Sequence, residues 1–463
     1  MTITIFLFWL FVLLAEGFLI ANILLPKQEK FLLAFSLALP ISAFSNVLIV
    51  FLCTIFEVDL RFLSFAIAHL STIAVLTVAY WKSPRRGIAL ISSKATVLTS
   101  KKGTLALRLV CALFITFQMI FSFAHSVVLP TYHIDSLTNW TMRSKVSFYD
   151  HAIAFDADES RGVAKPQYPF LFHSLQILVN EGNADWSDRS ANAIVFLLNI
   201  SSLISLFFLI LRRKGFDIAL ISIASLLSIP LLSFHVAVQY GDIHLVTYLL
   251  LSCVTLWLWK AESERKWLIL SALFVASSAW TKTEGLIVGT FLWLLMIAPE
   301  LRIRLIRWDI ISSGILVLLF SLPFSVFLVL HDMNLTPHSS DTTISWHTDA
   351  FFTAITGLFT GGSMGIVWFA LPIATFVVLK LAKEKNSRID ASALRFGLWG
   401  YASLGIILFT YVCTPNAGFL ASGESYYRQL MVPSSLLILW IAMMWKGTEP
   451  KAKAAEEVER AAW

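Results

Sequence analysis

Apolar residues in this 463-residue chain come in runs of about 20 with almost no charge inside them. That is the length a helix needs to cross a hydrocarbon layer roughly 30 Å thick. Only 14% of the residues are charged and 57% are hydrophobic, whereas a soluble domain is nearer a quarter charged. Lipid offers no partner to an open backbone, so spans of this kind must be helices. The expected class is therefore an all-α polytopic membrane protein.

Thirteen apolar segments can be read, at 3–25, 31–56, 62–81, 104–124, 190–211, 217–234, 243–259, 267–281, 285–298, 309–331, 363–380, 394–413 and 427–445. The eighth and ninth are short and share a polar elbow. They read either as a hairpin of tilted helices or as half-helices dipping into a cavity. The first run, MTITIFLFWLFVLL, lacks a basic region before it, so it reads as a retained helix.

Every second connection is basic. These are Lys27 and Lys30; Lys82 to Lys102; Arg212 to Lys214; Lys260 to Lys266; Arg302 to Arg307; and Lys380 to Arg395. By the positive-inside rule the N-terminus lies outside and the C-terminus lies in the cytoplasm. The same rule accounts for the net charge of +6 without an anionic partner, and nucleic acid is not expected as one. The four cysteines all fall in apolar runs without metal-ligand spacing, so neither a disulfide framework nor a zinc site is expected.

One connection departs from the short loops around it. The stretch 125–189 holds eight acids and five bases, and a long polar loop in so apolar a chain points to function. Within it SLTNWTMRSKVSFYDHA and YPFLFHSLQILVN read as helices lying on the membrane surface. The domain reading is an N-terminal three-helix extension at 1–103, a transmembrane core at 104–446 carrying this loop, and a cytoplasmic tail at 447–463.

Five motifs on the outer side carry polar chemistry. YHIDSLTNWTMRSKV offers Asp135, followed by Trp140, Arg143 and Lys145; Asp135 reads either as a helix N-cap or as a general base. KPQYPFLFHSL offers Lys165 and Tyr168 for ligand contact, with Pro169 suited to a helix start. QYGDIHL places Asp242 and His244 at the mouth of the seventh segment, where Asp242 is a cap or a site residue. WTKTEGL sets Lys282 and Glu284 within an otherwise apolar stretch, where charge marks function by default. ESYYRQLMVP brings Arg428 beside Tyr426, Tyr427 and Gln429; Arg428 is either a phosphate ligand or an interfacial anchor. Glu16 and His69 stand alone in apolar segments and read as satisfied packing. The Asn-x-Ser/Thr triplets at Asn139, Asn199 and Asn334 are assigned no role.

Taken in order, these motifs resemble the GT-C class of membrane glycosyltransferases, close to its protein-mannosyltransferase-like and aminoarabinose-transferase-like group. The resemblance covers roughly residues 104–446. It implies a GT-C-like bundle and a glycosyltransferase that moves a sugar from a polyprenyl phosphate or diphosphate to a lipid, glycan or protein acceptor. The family's site faces the periplasm of the bacterial inner membrane. By residue it implies Asp135 as the base of an inverting displacement and Lys282, Glu284 and Arg428 as lining of the donor pocket. Lys165, Tyr168 and Asp242 match weaker positions. Arg143 and Tyr426 are added to the donor-binding set as their neighbours. No cofactor is called for, and because Ser136, not a second acid, follows Asp135, no divalent metal is expected. The chain departs from the pattern in its three leading helices, and no large C-terminal soluble domain is read. Competing classes are a surface-glycan ligase or polymerase and a lipid or sugar transporter. The large loop comes early for the former, and the polar residues gather at one face rather than at the midplane, unlike the latter.

Overall fold

Helices follow the apolar segments one by one. The computed structural model describes residues 2–26, 31–82, 102–155, 161, 163, 165–300, 308–333, 343–384, 393–420 and 424–445. The triplet at Asn334, the tail 447–463 and most of the basic residues at 27–30, 83–101, 302–307 and 385–392 lie outside these. Nine described helices are long and apolar enough to cross a membrane, and a bent pair makes a tenth. Three shorter apolar helical stretches, beginning at Arg265, Gly285 and Val367, complete the set read from sequence. The chain is an all-α polytopic membrane protein.

The first three helices are α1 (Thr2–Leu24), α2 (Phe31–Ile55) and α3 (Phe62–Lys82). Gly17 lets α1 approach α2 closely, because a Cβ there would lie 1.8 Å from the Ala38 carbonyl oxygen. Helix α2 then runs into the body of the bundle against α6 (Leu171–Leu178) and α7 (Asp188–Lys214). Its Pro40 has no N–H, so the Ser36 carbonyl loses its helical donor. Ser201 of α7 supplies a hydroxyl to that oxygen at 2.6 Å, a repair that lipid-buried backbone requires.

After α4 (Lys102–Phe123) the chain forms the polar loop, and α7 returns across the bundle. Helices α8 (Phe216–Leu227) and α9 (Pro230–Ala237) are bent by 79° at the break before Pro230. Helix α10 (Gly241–Glu262) is enclosed along its whole apolar span and forms the central pillar, packed on α7 and α11 (Arg265–Thr281). The π-helical stretch Gly285–Phe291 folds back on α11 and continues as α12 (Leu292–Ile297), so the two short segments are a hairpin. The chain continues through α13 (Trp308–Ser321), α14 (Pro323–Leu330), α15 (Thr348–Thr360), α16 (Val367–Ala382), α17 (Leu394–Cys413) and α18 (Glu424–Met444), which packs against α10.

At the end away from the loop, lysines cap helix C-termini. Lys266 donates to the Ile23 and Leu25 carbonyls, each at 2.9 Å, and Lys214 donates to Trp445 O at 2.9 Å. Cations there meet carbonyls that have no helical partner.

The loop holds the two expected helices, and the second of them is enclosed by protein. A π turn at Ser136–Trp140 leads into α5 (Thr141–Asp150), which has a buried face and a partly open one. Helix α6 is buried at all eight of its residues, between α2, α5 and α7. It is a plug inside the loop end of the bundle instead of a helix on the membrane surface. Its polar side chains His173, Ser174 and Gln176 are buried and take protein partners in place of water: Asn46 for Ser174, and Ser144 for His173 and Gln176.

Just past α6, Glu181 is mostly buried. Burial lifts its carboxyl from an ordinary 4.5 to about 8, against smaller opposing effects of the Phe62 backbone and Arg61. A raised native value means that the folded state holds a proton that the unfolded chain has released between these limits. Stability from this group is complete below about 4.5 and is lost as pH climbs through about 8. The unfolding temperature of the purified protein should therefore fall between pH 5 and pH 9. Glu181→Gln should flatten that slope; an unchanged slope would show that Glu181 does not carry it.

Candidate active site

The loop end of the bundle gathers charges from four distant parts of the chain. Asp135 opens the π turn but makes no capping bond. Its carboxylate accepts from Arg428 Nη1 instead. The turn is held by Ser136, whose hydroxyl donates to Val238 O at the α9–α10 junction. Arg428 stands on the first turns of α18, its guanidinium 5.5 Å over the Tyr240 ring.

A second pair lies beside the first. Asp242, in the first turn of α10, accepts from Lys282 Nζ at 2.9 Å. Lys282 follows α11 in extended backbone (φ −153°, ψ 154°), which turns its side chain inward. Its Nζ is also 3.5 Å from Glu284 Oε1 and 5.7 Å over the Tyr168 ring. Glu284 Oε1 accepts from Gln429 Nε2 at 2.5 Å. The two pairs differ in access. Side chains of Lys282 and Asp242 are 3% and 5% exposed, whereas Arg428 and Asp135 are 20% and 31% exposed. The Asp135–Arg428 pair is thus the more open of the two.

Lys165 completes the set. It is half-buried and within electrostatic reach of Arg428, Asp135, Lys282 and Glu284; burial and then Arg428 lower its pKa. The Tyr168 phenol is pushed up to about 12, chiefly by burial, so it stays protonated at neutral pH. Its ring stacks on Trp140 at 5.4 Å. Several polar atoms here are buried without a hydrogen-bond partner: Asp242 Oδ2, Glu284 Oε2 and Arg428 Nε. Buried groups of this kind ordinarily have partners, so these three mark where a polar ligand would be met.

The motif glycines are there for contact. A Cβ at Gly241 would sit 2.6 Å from the Trp140 ring, and one at Gly285 would sit 1.9 Å from Ser278 O. The first lets α10 begin beneath the Trp140–Tyr168 stack; the second lets the elbow close on α11.

Two sequence candidates do not reach the cluster. Arg143 is fully buried in α5 and donates to Ala154 O at 3.0 Å and Tyr168 O at 2.6 Å; it braces the backbone of Tyr168. Tyr426 donates to Ala354 O of α15 at 2.9 Å. It lies two residues before Arg428, and such residues point to different sides of a helix. His244 is fully buried, with its ring 5.7 Å from that of Phe172.

The cluster also contains residues not marked from sequence as site candidates. Tyr240 holds Arg428 on its ring and bonds His133 through its hydroxyl. His235 Nδ1 is 3.9 Å from Asp242 Oδ2. Gln429 fixes Glu284. Tyr240 and Gln429 had closeness to Asp242 and Arg428 in the sequence as a signal, whereas His235 lies a helix end away from Asp242. Among the described residues no three His, Cys, Asp or Glu side chains gather as a metal-ligand set.

No family model matches the chain, and no curated protein matches it. Solved structures do. The apo crystal structure of ArnT from Cupriavidus metallidurans superposes with a TM-score of 0.51 at 13% identity, over 77% of this chain and 63% of that one. The crystal structure of the same protein bound to undecaprenyl phosphate gives 0.50 at 13%, over 76% and 62%. The chain thus spans less than two thirds of the length of ArnT. The likeness is one of fold: an all-α polytopic bundle that superposes on that of ArnT.

The enclosed pair makes a stability prediction. Lys282→Met should leave Asp242 as a buried charge without its main partner and destabilise by roughly 3–5 kcal/mol. Asp242→Asn combined with Lys282→Met should recover most of that loss in thermal unfolding. A double variant as unstable as the sum of its singles would contradict the pairing.

Proposed function

We propose that this chain transfers a sugar from a polyprenyl-phosphate-linked donor to an acceptor hydroxyl at the non-cytoplasmic face of a bacterial inner membrane, with inversion. The observation that carries the reading is the convergence of Asp135, Arg428, Lys282, Glu284 and Lys165 at one end of an apolar bundle. The ArnT crystal structure with undecaprenyl phosphate supports a polyprenyl phosphate as the lipid, since it has the same fold. The acceptor, whether lipid, glycan or protein, would approach from the loop side, and the lipid tail would run between helices.

The chemistry needs a base for the acceptor hydroxyl and cations for the leaving phosphate. In the transfer, the acceptor oxygen bonds to the anomeric carbon while the bond from that carbon to the phosphate oxygen breaks. The hydroxyl proton goes to Asp135 and the electron pair stays on polyprenyl phosphate. Without a donor, the Asp135 carboxylate is occupied by Arg428. A phosphate that takes Arg428 would release that carboxylate, so donor binding would itself arm the base. Lys282 and Lys165 would share the growing phosphate charge, an effect that is large in a site shielded from water. Glu284, held by Gln429, would meet a sugar hydroxyl.

The test incubates the purified protein with a panel of polyprenyl-phosphate sugars and follows transfer or hydrolysis by mass spectrometry. The wild type should consume at least one donor and release polyprenyl phosphate. Asp135→Asn should retain donor binding and lose roughly 10²–10⁴-fold in rate, the range for a positioned proton acceptor. Full activity in Asp135→Asn would remove it as the base, and a panel left wholly unconsumed would count against transfer.

A further inference from the structure

The N-terminal helices contain a buried polar chain that the transfer chemistry does not use. Glu16 of α1 and His69 of α3 are both fully buried, with Oε2 2.5 Å from Nδ1. Ser45 of α2 donates to the other carboxyl oxygen. His69 Nε2 lies 3.2 Å from Asn46 Oδ1, and Asn46 Nδ2 donates to Ser174 Oγ of α6 at 3.0 Å. Ser174 in turn donates to Leu171 O at 2.9 Å.

The direction of this chain fixes its protons. The Ser174 hydrogen is committed to Leu171, so its oxygen must accept from Asn46 and the amide must present Oδ1 to His69. An amide oxygen cannot donate, so His69 Nε2 carries a hydrogen. One further proton then lies between Nδ1 and Glu16. Whichever side holds it, the pair is neutral overall and every group is satisfied, which is how ionisable residues are tolerated inside a membrane.

We infer that this chain is a positioning device for the active-site wall: Glu16, His69 and Asn46 hold α6, and through it the Trp140–Tyr168 stack, in place. Helix α1 and the α2–α3 connection grip the loop at two more points. Trp9 Nε1 donates to Glu181 O at 2.8 Å, and Leu60 N donates to His151 O at 2.7 Å. Gly182, at φ +99°, packs against Phe62 and Ile5. On the other side of α6, the His173 ring stacks on Trp140 at 5.8 Å, and Ser144 Oγ lies 2.9 Å from His173 Nδ1 and 2.6 Å from Gln176 Oε1. Trp140 stacks on Tyr168, whose ring lies under Lys282. A continuous set of contacts thus leads from Glu16 to the site lysine.

The test is hydrogen exchange on the full chain in nanodiscs, with undecaprenyl phosphate binding as a second readout; only the latter rests on the proposed function. Asn46→Leu should raise exchange over residues 165–181 by about tenfold, as loss of a buried hydrogen bond implies, and weaken lipid binding, while α10 and α11 stay protected. Ser174→Ala, which removes only the last link, should act in the same direction. Glu16→Leu should loosen the same residues, and Glu16→Gln, whose amide can donate to Nδ1 and accept from Ser45, should restore wild-type exchange. Unchanged exchange over 165–181 in both Asn46→Leu and Ser174→Ala would overturn the inference, as would a rise spread equally over α10 and α11. If exchange responds as expected while the wild type binds no undecaprenyl phosphate, the positioning role stands and the donor reading falls.

Discussion

Pairing of charge in a place shielded from water is the constraint on which this site depends. Asp242 and Lys282 are almost fully enclosed, and neither is tolerable alone at that depth. Around them stand Glu284, Asp135, Arg428 and Lys165, so three acids meet three bases. The set is neutral as it stands, yet its outer members are the accessible ones. An anion that takes Arg428 disturbs the balance where Asp135 is, which links ligand charge to the state of one carboxylate. That link is the reason we propose transfer from a lipid phosphate.

The remaining architecture serves to bring these charges together. They come from the loop, the start of α10, the elbow after α11 and the start of α18, which lie far apart in sequence. Helix α10 supplies a rigid centre because it is enclosed throughout. Gly241 and Gly285 allow approaches that a Cβ would forbid. Helix α6, buried on all sides, carries the back wall and is itself held by α2. The N-terminal helices are therefore continuous with the site's support, through aromatic contacts such as Phe51 with Phe170 and Trp280 as well as through the Asn46–Ser174 bond.

Much of this was legible in the sequence, for physical reasons. Membrane spans announce themselves by length and apolarity, so every segment became a helix or a helix pair. Charges such as Lys282 and Glu284 stood out because an apolar stretch cannot hide them. What a side chain bonds to was less visible. Asp135 stands where a cap is expected, and only the fold reveals Arg428, 293 residues away, as its partner. The setting of α6 was misread because its burial depends on α2, a distant helix. Tyr426 and Arg143 share motifs with site residues but point elsewhere, since neighbours on a helix do not share a face. Gln429 and Tyr240 were missed because nothing in their residue type separates a site contact from an interfacial one.

The most direct test of the account is the affinity of the purified protein for undecaprenyl phosphate, measured by native mass spectrometry or calorimetry with Arg428→Ala alongside the wild type. The account predicts saturable binding of one lipid per chain, weakened at least about tenfold in the variant, as loss of a charge-assisted contact to phosphate implies. Equal binding by both proteins, or no saturable binding by the wild type, would contradict it.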